Sequence, residues 1–375
     1  MLPNQSLPSA ILLGLDAQRP AVRIAPLAET ERARAENSLP LNEGLAGRLS
    51  AALQAVPGVL VEEGHRGKRL MEVVIDGELV RGKDGASFRA WAVGADNKIS
   101  EHAKLYEAEN LQSLVNTAAV WQVASIVVAQ KHLADISKKL DVIREILQEV
   151  VHFLDDGRRA QVTGTYEYLQ QAASAIGKGE LSPAIRNELE SCDRQLIQIQ
   201  HHLQQELERR CMQDLEHKEF AGTAEMEKEA VAKYEKLKSL VKDFRLTLKT
   251  RVLVWYMISL HPGESALKGA KMEGLMRSID EVEKQLATIH TSVDRDCDKF
   301  TSLWNKGVTL DIRKTNVREA AQALASDLSE AASHANADVT GAHLSLLELD
   351  KPTHLFFEVT NGKVGQFSLE SRAPK

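Results

Sequence analysis

Glu149 and His152 are the residues whose types and spacing come closest to a metal site. Side chains three positions apart lie on one face of a helix, and Glu-x-x-His pairs of this kind bind iron in di-iron helical bundles. Such a centre needs a second helical pair and two further carboxylates. The other Glu-x-x-His of the chain, Glu62 with His65, stands between glycines in a segment predicted to be a loop. We therefore expect Glu149 and His152 to lie on a polar helix flank without a bound metal.

The remaining histidines and glycines match no catalytic or phosphate-binding motif. His201 and His202 are adjacent, so their side chains point about 100° apart on a helix and cannot bind one ion together. Segment 263–271 lacks the lysine directly after the second glycine, and the preceding strand, that a P-loop requires. Neither Gly-x-Ser-x-Gly nor His-Glu-x-x-His occurs. These observations predict a protein that is not an enzyme and that uses no cofactor and no small-molecule substrate.

Charge and cysteine content narrow the class of protein further. The formal net charge is −6 and no long basic run occurs, which gives little electrostatic reason to bind nucleic acid. The three cysteines, Cys192, Cys211 and Cys297, are far apart and form no Cys-x-x-Cys pair. Neither a disulfide framework nor a zinc knuckle is indicated, and free thiols are typical of a reduced compartment. The sequence therefore predicts a cytoplasmic protein.

The elements that would hold these residues are long amphipathic helices. Between residues 133 and 154, apolar residues recur at spacings that alternate between three and four, the heptad pattern of helices that pack by knobs into holes. This predicted bundle seam consists of Leu133, Ile136, Leu140, Ile143, Leu147, Val150 and Leu154. Further apolar stripes cover residues 185–207, 234–258, 275–303 and 317–328. The stripes predict a mainly α fold, with an elongated antiparallel bundle of long helices.

Short strands are predicted on both sides of the helical region. Residues 71–75 form an apolar run that ends at a turn pair, and residues 87–93 alternate between apolar and polar. Residues 354–369 are interrupted by Asn361-Gly362, a pair that favours a type I′ hairpin turn. An isolated hairpin is marginal in water. We therefore expect it to pair with the strands of residues 58–107 in a small β-rich cap.

These patterns divide the chain into four consecutive regions. Six of the ten prolines fall within residues 1–57, which predicts an irregular arm, because proline removes a backbone donor and restricts the residue before it. A short helix from about Leu41 to Ala55 is the exception that the pattern allows within this arm. The other predicted regions are the β-rich unit at 58–107, the long-helix bundle at 108–335 and a C-terminal β-hairpin at 336–375. The hairpin is expected to pack with the β-rich unit.

One segment of the helical region has an unusual composition. The 21 residues from Asn110 to Gln130 carry no charge, and a helix of this length could cross a bilayer. Polar residues are spread around it, which favours a helix buried on nearly all sides, while a conditional membrane segment is the alternative. The residues that would form this core or membrane segment are Val115, Val120, Trp121, Val123, Ser125, Ile126, Val127 and Val128.

The sequence patterns support two functional hypotheses. The first is a non-enzymatic interaction or assembly protein, which binds a protein partner or a second copy of itself through the helical bundle. The alternative is a membrane-perturbing effector, such as a toxin component or an anti-phage defence protein, in which residues 110–130 enter a membrane on activation. The two hypotheses differ in what they predict for liposomes, since the second requires membrane association.

Overall fold

The structure is a computed structural model and describes most of the chain. The described residues are 10–14, 22–54, 68–75, 89–93, 117–149, 156–215, 223–261, 265–301, 305, 307–347, 353–360 and 363–370. The predicted fold class is confirmed, because the protein is mainly α and carries a small antiparallel β cap. The strands of the cap come from N- and C-terminal segments, as the sequence predicted.

Within the described ranges, the cap consists of a seven-stranded antiparallel sheet and two short α-helices. In chain order its elements are β1 (Ala10–Gly14), β2 (Val22–Pro26), α1 (Arg32–Glu36), β3 (Leu39–Pro40), α2 (Glu43–Gln54), β4 (Lys68–Ile75), β5 (Arg89–Val93), β6 (Thr353–Thr360) and β7 (Lys363–Leu369). The strand order is β3-β7-β6-β4-β2-β1-β5. β4 pairs with β6 along its whole length, so this ladder joins the two ends of the chain. The turn predicted at Asn361-Gly362 lies outside the described residues.

Residues 22–40 are more regular than the irregular arm that the sequence predicted, whereas α2 agrees with the short helix that the pattern allowed from about Leu41 to Ala55. Residues 22–40 contain β2, α1 and β3, and β2 lies inside the sheet between β1 and β4. The prolines are compatible with these elements, because Pro26 ends β2 and Pro40 belongs to the terminal strand β3, where a missing N–H is tolerated. Three leucines of α2 are buried in the core of the cap: Leu45, Leu49 and Leu53.

The bundle consists of six helices of 22 to 41 residues within the described ranges. They are α3 (Thr117–Glu149), α4 (Asp156–Gly177), α5 (Pro183–Met212), α6 (Thr223–Ser259), α7 (Ser265–Asp298) and α8 (Gly307–Leu347). α6 and α8 run parallel, because Lys249 pairs with Asp338 at one level and Arg313 bonds to Thr223 at another. α6 and α8 pack directly against each other, and α7 runs in the opposite direction, as expected for consecutive helices joined by short connections.

The predicted apolar stripes lie, in order, on α3, α5, α6, α7 and α8. The first and fourth stripes extend past the ends of their helices, at Glu149 and Asp298, and partly outside the described residues. α4 is an additional helix that no predicted stripe covered. Its inward positions include small residues as well as larger ones: Val162, Thr165, Leu169, Ala172 and Ile176. α8 continues to Leu347, beyond residue 335 where the sequence placed the end of the bundle, and Val339 is still buried in the core.

The buried apolar residues form two separate clusters. The bundle core fills the space between α3 and the five helices that follow it. The cap core lies between the sheet, α2 and the first part of α3. The change occurs within α3, because Val128 belongs to the cap core and Ala129 to the bundle core. A single continuous helix therefore joins the cap to the bundle.

The described part of the uncharged segment, residues 117–130, forms the first part of α3. Residues 110–116, including Val115, and the side chain of Trp121 lie outside the described residues. The valines and isoleucine of the segment are buried in the cap core: Val120, Val123, Ile126, Val127 and Val128. Ser125 is buried as well, at 2% exposed. Among the described residues, no helix combines the length and the hydropathy that a bilayer span needs.

Candidate binding groove in the β cap

A surface groove of about 800 Å³ lies where α1, β3 and α2 approach β6 and β7. Its volume is in the range of ligand pockets, roughly 300 to 1,000 Å³. The base of the groove is apolar and contains Pro40, Leu41, Phe356 and Phe367. Both phenylalanine rings are buried, so the base is rigidly packed into the sheet. We call this site the cap groove.

Arg34 holds one wall of the cap groove against the sheet. Its Nε donates to Glu370 Oε1 at 3.0 Å, and its guanidinium carbon lies 5.7 Å from the centre of the Phe356 ring. A second hydrogen bond runs from Arg34 Nη1 to Glu31 Oε1 at 3.1 Å. Phe356 also stacks on His354, with the ring centres 6.5 Å apart. The short helix α1 is therefore fixed by one cation, one carboxylate and one aromatic ring.

β7 contains a β-bulge at the groove. Phe357 pairs with Phe367, and Glu358 pairs with Gly365, so Gln366 is the extra residue. Its φ of 38° lies in the left-handed region, which residues with a side chain rarely adopt. Bulges bend a strand and redirect side chains, and they are common at sheet edges and beside functional sites. Gln366 is exposed and lines the groove, so the bulge places an amide group there.

The cap groove carries net negative charge. Glu36 and Glu43 are exposed at its rim, and Glu358 lines it as a half-buried residue. Among the described residues that line the groove, the one cationic side chain is Arg32. Its Nη2 lies 3.1 Å from Glu29 Oε1 in an exposed ion pair. The two exposed carboxylates of Glu36 and Glu43, beside a guanidinium that is already paired, give the rim a potential that attracts positive charge.

The predicted bundle seam is placed in the interior of the bundle rather than at a site of chemistry. Ile136, Leu140 and Ile143 are buried in the bundle core, and Leu133 and Leu147 pack against it while partly exposed. Because α3 ends at Glu149, the last two positions of the predicted seam, Val150 and Leu154, lie outside the described residues.

The structure describes only some of the residues considered for metal binding. The side chain of Glu149 and all of His152 lie outside the described residues, and His201 and His202 are exposed on α5. In the described ranges, no group of three or more histidine, cysteine, aspartate or glutamate side chains is placed to hold a metal ion. The three cysteines are free and buried, and burial raises the pKa of Cys192 and of Cys211 to about 11.

A buried polar network in the bundle was not predicted from the sequence. Arg251 on α6 is 4% exposed, and its Nη1 donates to Gln200 on α5 and, at 3.1 Å, to Ser278 Oγ on α7. Arg251 Nε lies 3.6 Å from Asp193 Oδ1, and Asp193 Oδ2 accepts a hydrogen bond from Lys271 at 2.8 Å. Burial lowers the pKa of Arg251, and the neighbouring Asp193 opposes that change. The network links three helices and fixes their relative register.

A second polar cluster closes the C-terminal end of α5. Lys233 Nζ donates to Cys211 O at 3.1 Å and to Asp296 Oδ2 at 2.8 Å, and Arg295 Nη2 donates to the same Cys211 carbonyl at 2.6 Å. Tyr234 OH also donates to Asp296 at 2.9 Å. Cations at a helix C-terminus bond to its last carbonyls and interact favourably with the helix dipole. These side chains serve as a cap for α5.

A smaller cavity of about 220 Å³ lies between α3, α6 and α8. Asp338 lies between two lysines there, 2.7 Å from Lys249 Nζ and 3.7 Å from Lys139 Nζ. The three side chains bridge three helices, so the lysines already have a carboxylate partner. The cap groove is the larger site, and it combines an apolar base with accessible charge.

Comparison with known proteins adds no relative: no protein-family model, no curated protein and no solved structure matches the chain significantly.

Proposed function

We propose that the protein is a non-enzymatic interaction protein, which binds a segment of another protein in the cap groove. The observation that carries the proposal is the apolar base of the groove beside a charged rim. Recognition sites commonly have this composition, because apolar contact supplies affinity and a few polar groups set orientation and specificity. The sequence predicted an interaction surface on the bundle, whereas the groove favours the cap, with the bundle as its support.

Contacts between α2 and the turn after α4 support a cap held firmly on the bundle. Arg48 on α2 pairs with Glu180 at 3.1 Å. A Cβ at Gly179 would lie 2.8 Å from Leu45 Cδ1, so the backbone of the turn approaches α2 closely. Gly179 also has a φ of 82°, which glycine adopts without strain. A binding site on a firmly held cap loses little conformational entropy when it is occupied.

Self-association through the bundle is supported by a smaller feature. Val308 and Ile312, at 70% and 57% exposed, lie four residues apart on α8 and therefore share one face. An exposed apolar pair of this size is compatible with a weak contact between copies. Sedimentation of the wild type and of Ile312→Lys tests this contact, which is supported if the concentration dependence of the wild type is lost in the variant.

Site-specific cross-linking tests the proposed function. A photoreactive amino acid at Glu36, on the rim of the groove, should yield a discrete covalent product with a partner protein in cells. The same amino acid at Glu319, exposed on α8, serves as the control position. The Glu36 product should disappear when Ala35→Trp fills the groove and persist with Ala33→Trp. Ala35 lines the groove, whereas Ala33 is an exposed residue on the same short helix.

The cross-linking result contradicts the proposal if positions 36 and 319 give the same products. Products that are insensitive to Ala35→Trp would contradict it as well. Equal thermal midpoints of the two tryptophan variants establish that any difference comes from the groove and not from unfolding.

The membrane-perturbing effector stays a prediction based on the composition of residues 110–130. It would require the buried part of α3 to leave the cap core, where Val123 and Ile126 are fully buried. Liposome experiments that address it are described in the Discussion.

A further inference from the structure

We infer that the occupant of the cap groove is an extended, positively charged segment of a protein partner, with lysine or arginine next to an apolar residue. The inference rests on the proposed function, because it specifies the class of segment that the same groove binds. Three properties of the groove define the ligand: its charge, its apolar contacts and the extent of its surface.

The first argument is charge complementarity at the rim. Glu36 and Glu43 are exposed and flank the groove from α1 and α2, so a ligand between these helices passes close to both carboxylates. Arg32 is paired with Glu29, which leaves the rim with net negative charge. Like charges placed opposite each other at an interface are unfavourable, and opposite charges accelerate encounter. An acidic segment is therefore disfavoured and a basic one is favoured.

The second argument is the apolar base. Phe356 and Phe367 are only 1% and 4% exposed, so the accessible part of the apolar base comes from the exposed Pro40 and the half-buried Leu41 that lie above them. A small hydrated cation would leave this base uncovered. A lysine or arginine beside an apolar side chain covers it, because the aliphatic stems of these residues pack on apolar surface while the charge stays in water.

The third argument is the extent of the surface. Leu39, the residue before Pro40, is 60% exposed and belongs to the last strand on this side of the described sheet. Because successive residues of a strand point to opposite faces, Leu39 does not line the groove with Pro40 but adds an exposed apolar side chain beside it at the sheet edge. A ligand that fills the groove and also covers Leu39 must be longer than a compact small molecule. An extended peptide segment beside a sheet edge has this shape.

A charge-swap binding experiment tests the inference. The probes are fluorescently labelled peptides with identical apolar residues and with lysine, glutamine or glutamate at the remaining positions. The full chain is compared with Glu36→Lys/Glu43→Lys and with the control Glu229→Lys/Glu319→Lys, which makes the same change in net charge at exposed positions of α6 and α8. Binding is measured by fluorescence anisotropy at low and high salt, and spermine serves as a small cationic competitor.

The inference predicts that lysine peptides bind the wild type best and bind the groove variant about tenfold more weakly. Their affinity should fall as salt rises, because the rim charges are exposed. The groove variant should bind the glutamate peptides better than the wild type does. The control variant should behave like the wild type throughout.

The inference is overturned if lysine peptides bind no better than glutamine peptides, if no peptide class binds, or if both double variants weaken binding equally. If spermine displaces the lysine peptides completely when both are compared at the same concentration of positive charge, the groove binds small polyamines instead. These outcomes are separate from failure of the proposed function. A groove-dependent cross-link from position 36 without a preference for lysine peptides rejects only the basic segment, whereas loss of that cross-link rejects the groove as an interaction site.

Discussion

The two cores of the protein are assembled from the chain in opposite ways. In the bundle core, consecutive helices pack against one another, so most contacts join neighbours in the sequence. In the cap core, Val73 of β4 lies opposite Leu355 of β6, and the whole bundle lies between them in the sequence. Local contacts form quickly and non-local pairing forms slowly. We therefore expect the bundle to form before the cap, which requires both ends of the chain and the first part of α3, although the largest contact in the bundle joins α6 and α8, which α7 separates in the sequence.

A charge buried in either core should have the largest effect, and the two cores should respond differently. Ile143→Asp in the bundle core and Val123→Glu in the cap core should each lower the free energy of unfolding by about 3 to 5 kcal/mol, because an unpaired charge is buried. Hydrogen exchange should show loss of protection everywhere for Ile143→Asp. For Val123→Glu, the loss should be confined at first to the sheet, α2 and the start of α3.

Matched controls lie beside both positions. Val142, at 39% exposed, and the exposed residue Gln122 are on the same helix, so Val142→Asp and Gln122→Glu should have small effects. Identical exchange patterns for Ile143→Asp and Val123→Glu would mean that the two cores unfold as one unit, which would contradict the expected difference between them.

The buried ion network should make the bundle core sensitive to loss of a single carboxylate. Asp193→Ala leaves Arg251 buried beside an empty space and should cost about 3 kcal/mol. Replacing both partners, with Asp193→Leu and Arg251→Met, should be much less harmful, because the buried guanidinium is removed together with its carboxylate and Lys271 keeps Glu190 at 3.0 Å. Urea unfolding of the two variants and of the wild type measures the difference. If Asp193→Ala is as stable as the double variant, the network contributes little to the stability of the bundle.

Acid should weaken the bundle through His261. Burial first, and then Arg186 and Lys268, lower the pKa of His261 from 6.5 to about 4. As pH falls below 6.5, His261 becomes protonated in the unfolded chain but stays neutral in the folded chain. The free energy of unfolding therefore decreases between pH 6.5 and about 4. The shift corresponds to roughly 3 kcal/mol at most. Urea unfolding at pH 7 and at pH 4.5 should differ less for His261→Gln than for the wild type. Equal pH dependence would mean that His261 is accessible to protons in the folded state.

Gly179→Ala should loosen the contact between cap and bundle. The new Cβ would lie 2.8 Å from Leu45 Cδ1 at a backbone φ of 82°, so strain and overlap both oppose it. We expect a cost of about 1 to 2 kcal/mol. Gly177→Ala is the control, because its Cβ would make an ordinary contact of 3.6 Å with Leu133 Cδ1. Thermal unfolding compares the stability of the two variants. Equal midpoints would show that the turn after α4 accommodates the new Cβ without loss of stability.

The smallest expected effect concerns membranes. If α3 stays in the cap core, the wild type should cause no leakage from liposomes, and Gln122→Lys should change neither leakage nor stability. Gln122 suits this test because it is exposed, whereas Ser125 is buried. If the segment instead inserts, a central lysine costs roughly 2.5 to 3.5 kcal/mol, and association should fall about 100-fold. That second outcome would support the membrane-perturbing effector.

The sequence predicted the parts of the fold whose periodicity is carried by large apolar residues. The stripes on α5, α6 and α7 repeat every three to four residues over many turns, and a period that long distinguishes a helix from a strand. α4 lacks this signal because Thr165 and Ala172 occupy inward positions, where small residues allow close packing without marking the period. β1 and β2 were missed because the prolines around them mask short strands.

The cap groove could not be predicted because no single stretch of sequence contains it. Glu36, Glu43 and Phe356 meet only after the two ends of the chain pair in one sheet. The bulge at Gln366 leaves no local mark either, since glycine or asparagine, the residues that normally indicate a left-handed backbone, are absent at that position. A site of this kind depends on tertiary pairing, whereas sequence patterns report local periodicity.

The ladder between β4 and β6 also governs what happens if the polypeptide is cut. A single cleavage beside exposed Lys178, in the turn between α4 and α5, would give one fragment with β1 to β5 and α1 to α4, and another with α5 to α8, β6 and β7. The first fragment would contain five of the seven described strands and the second fragment two, and each would contain part of the bundle, so neither could bury its apolar surface without the other. The halves should stay associated after proteolysis, and separately expressed halves should reconstitute the fold when they are mixed, which makes this chain a scaffold for fragment complementation.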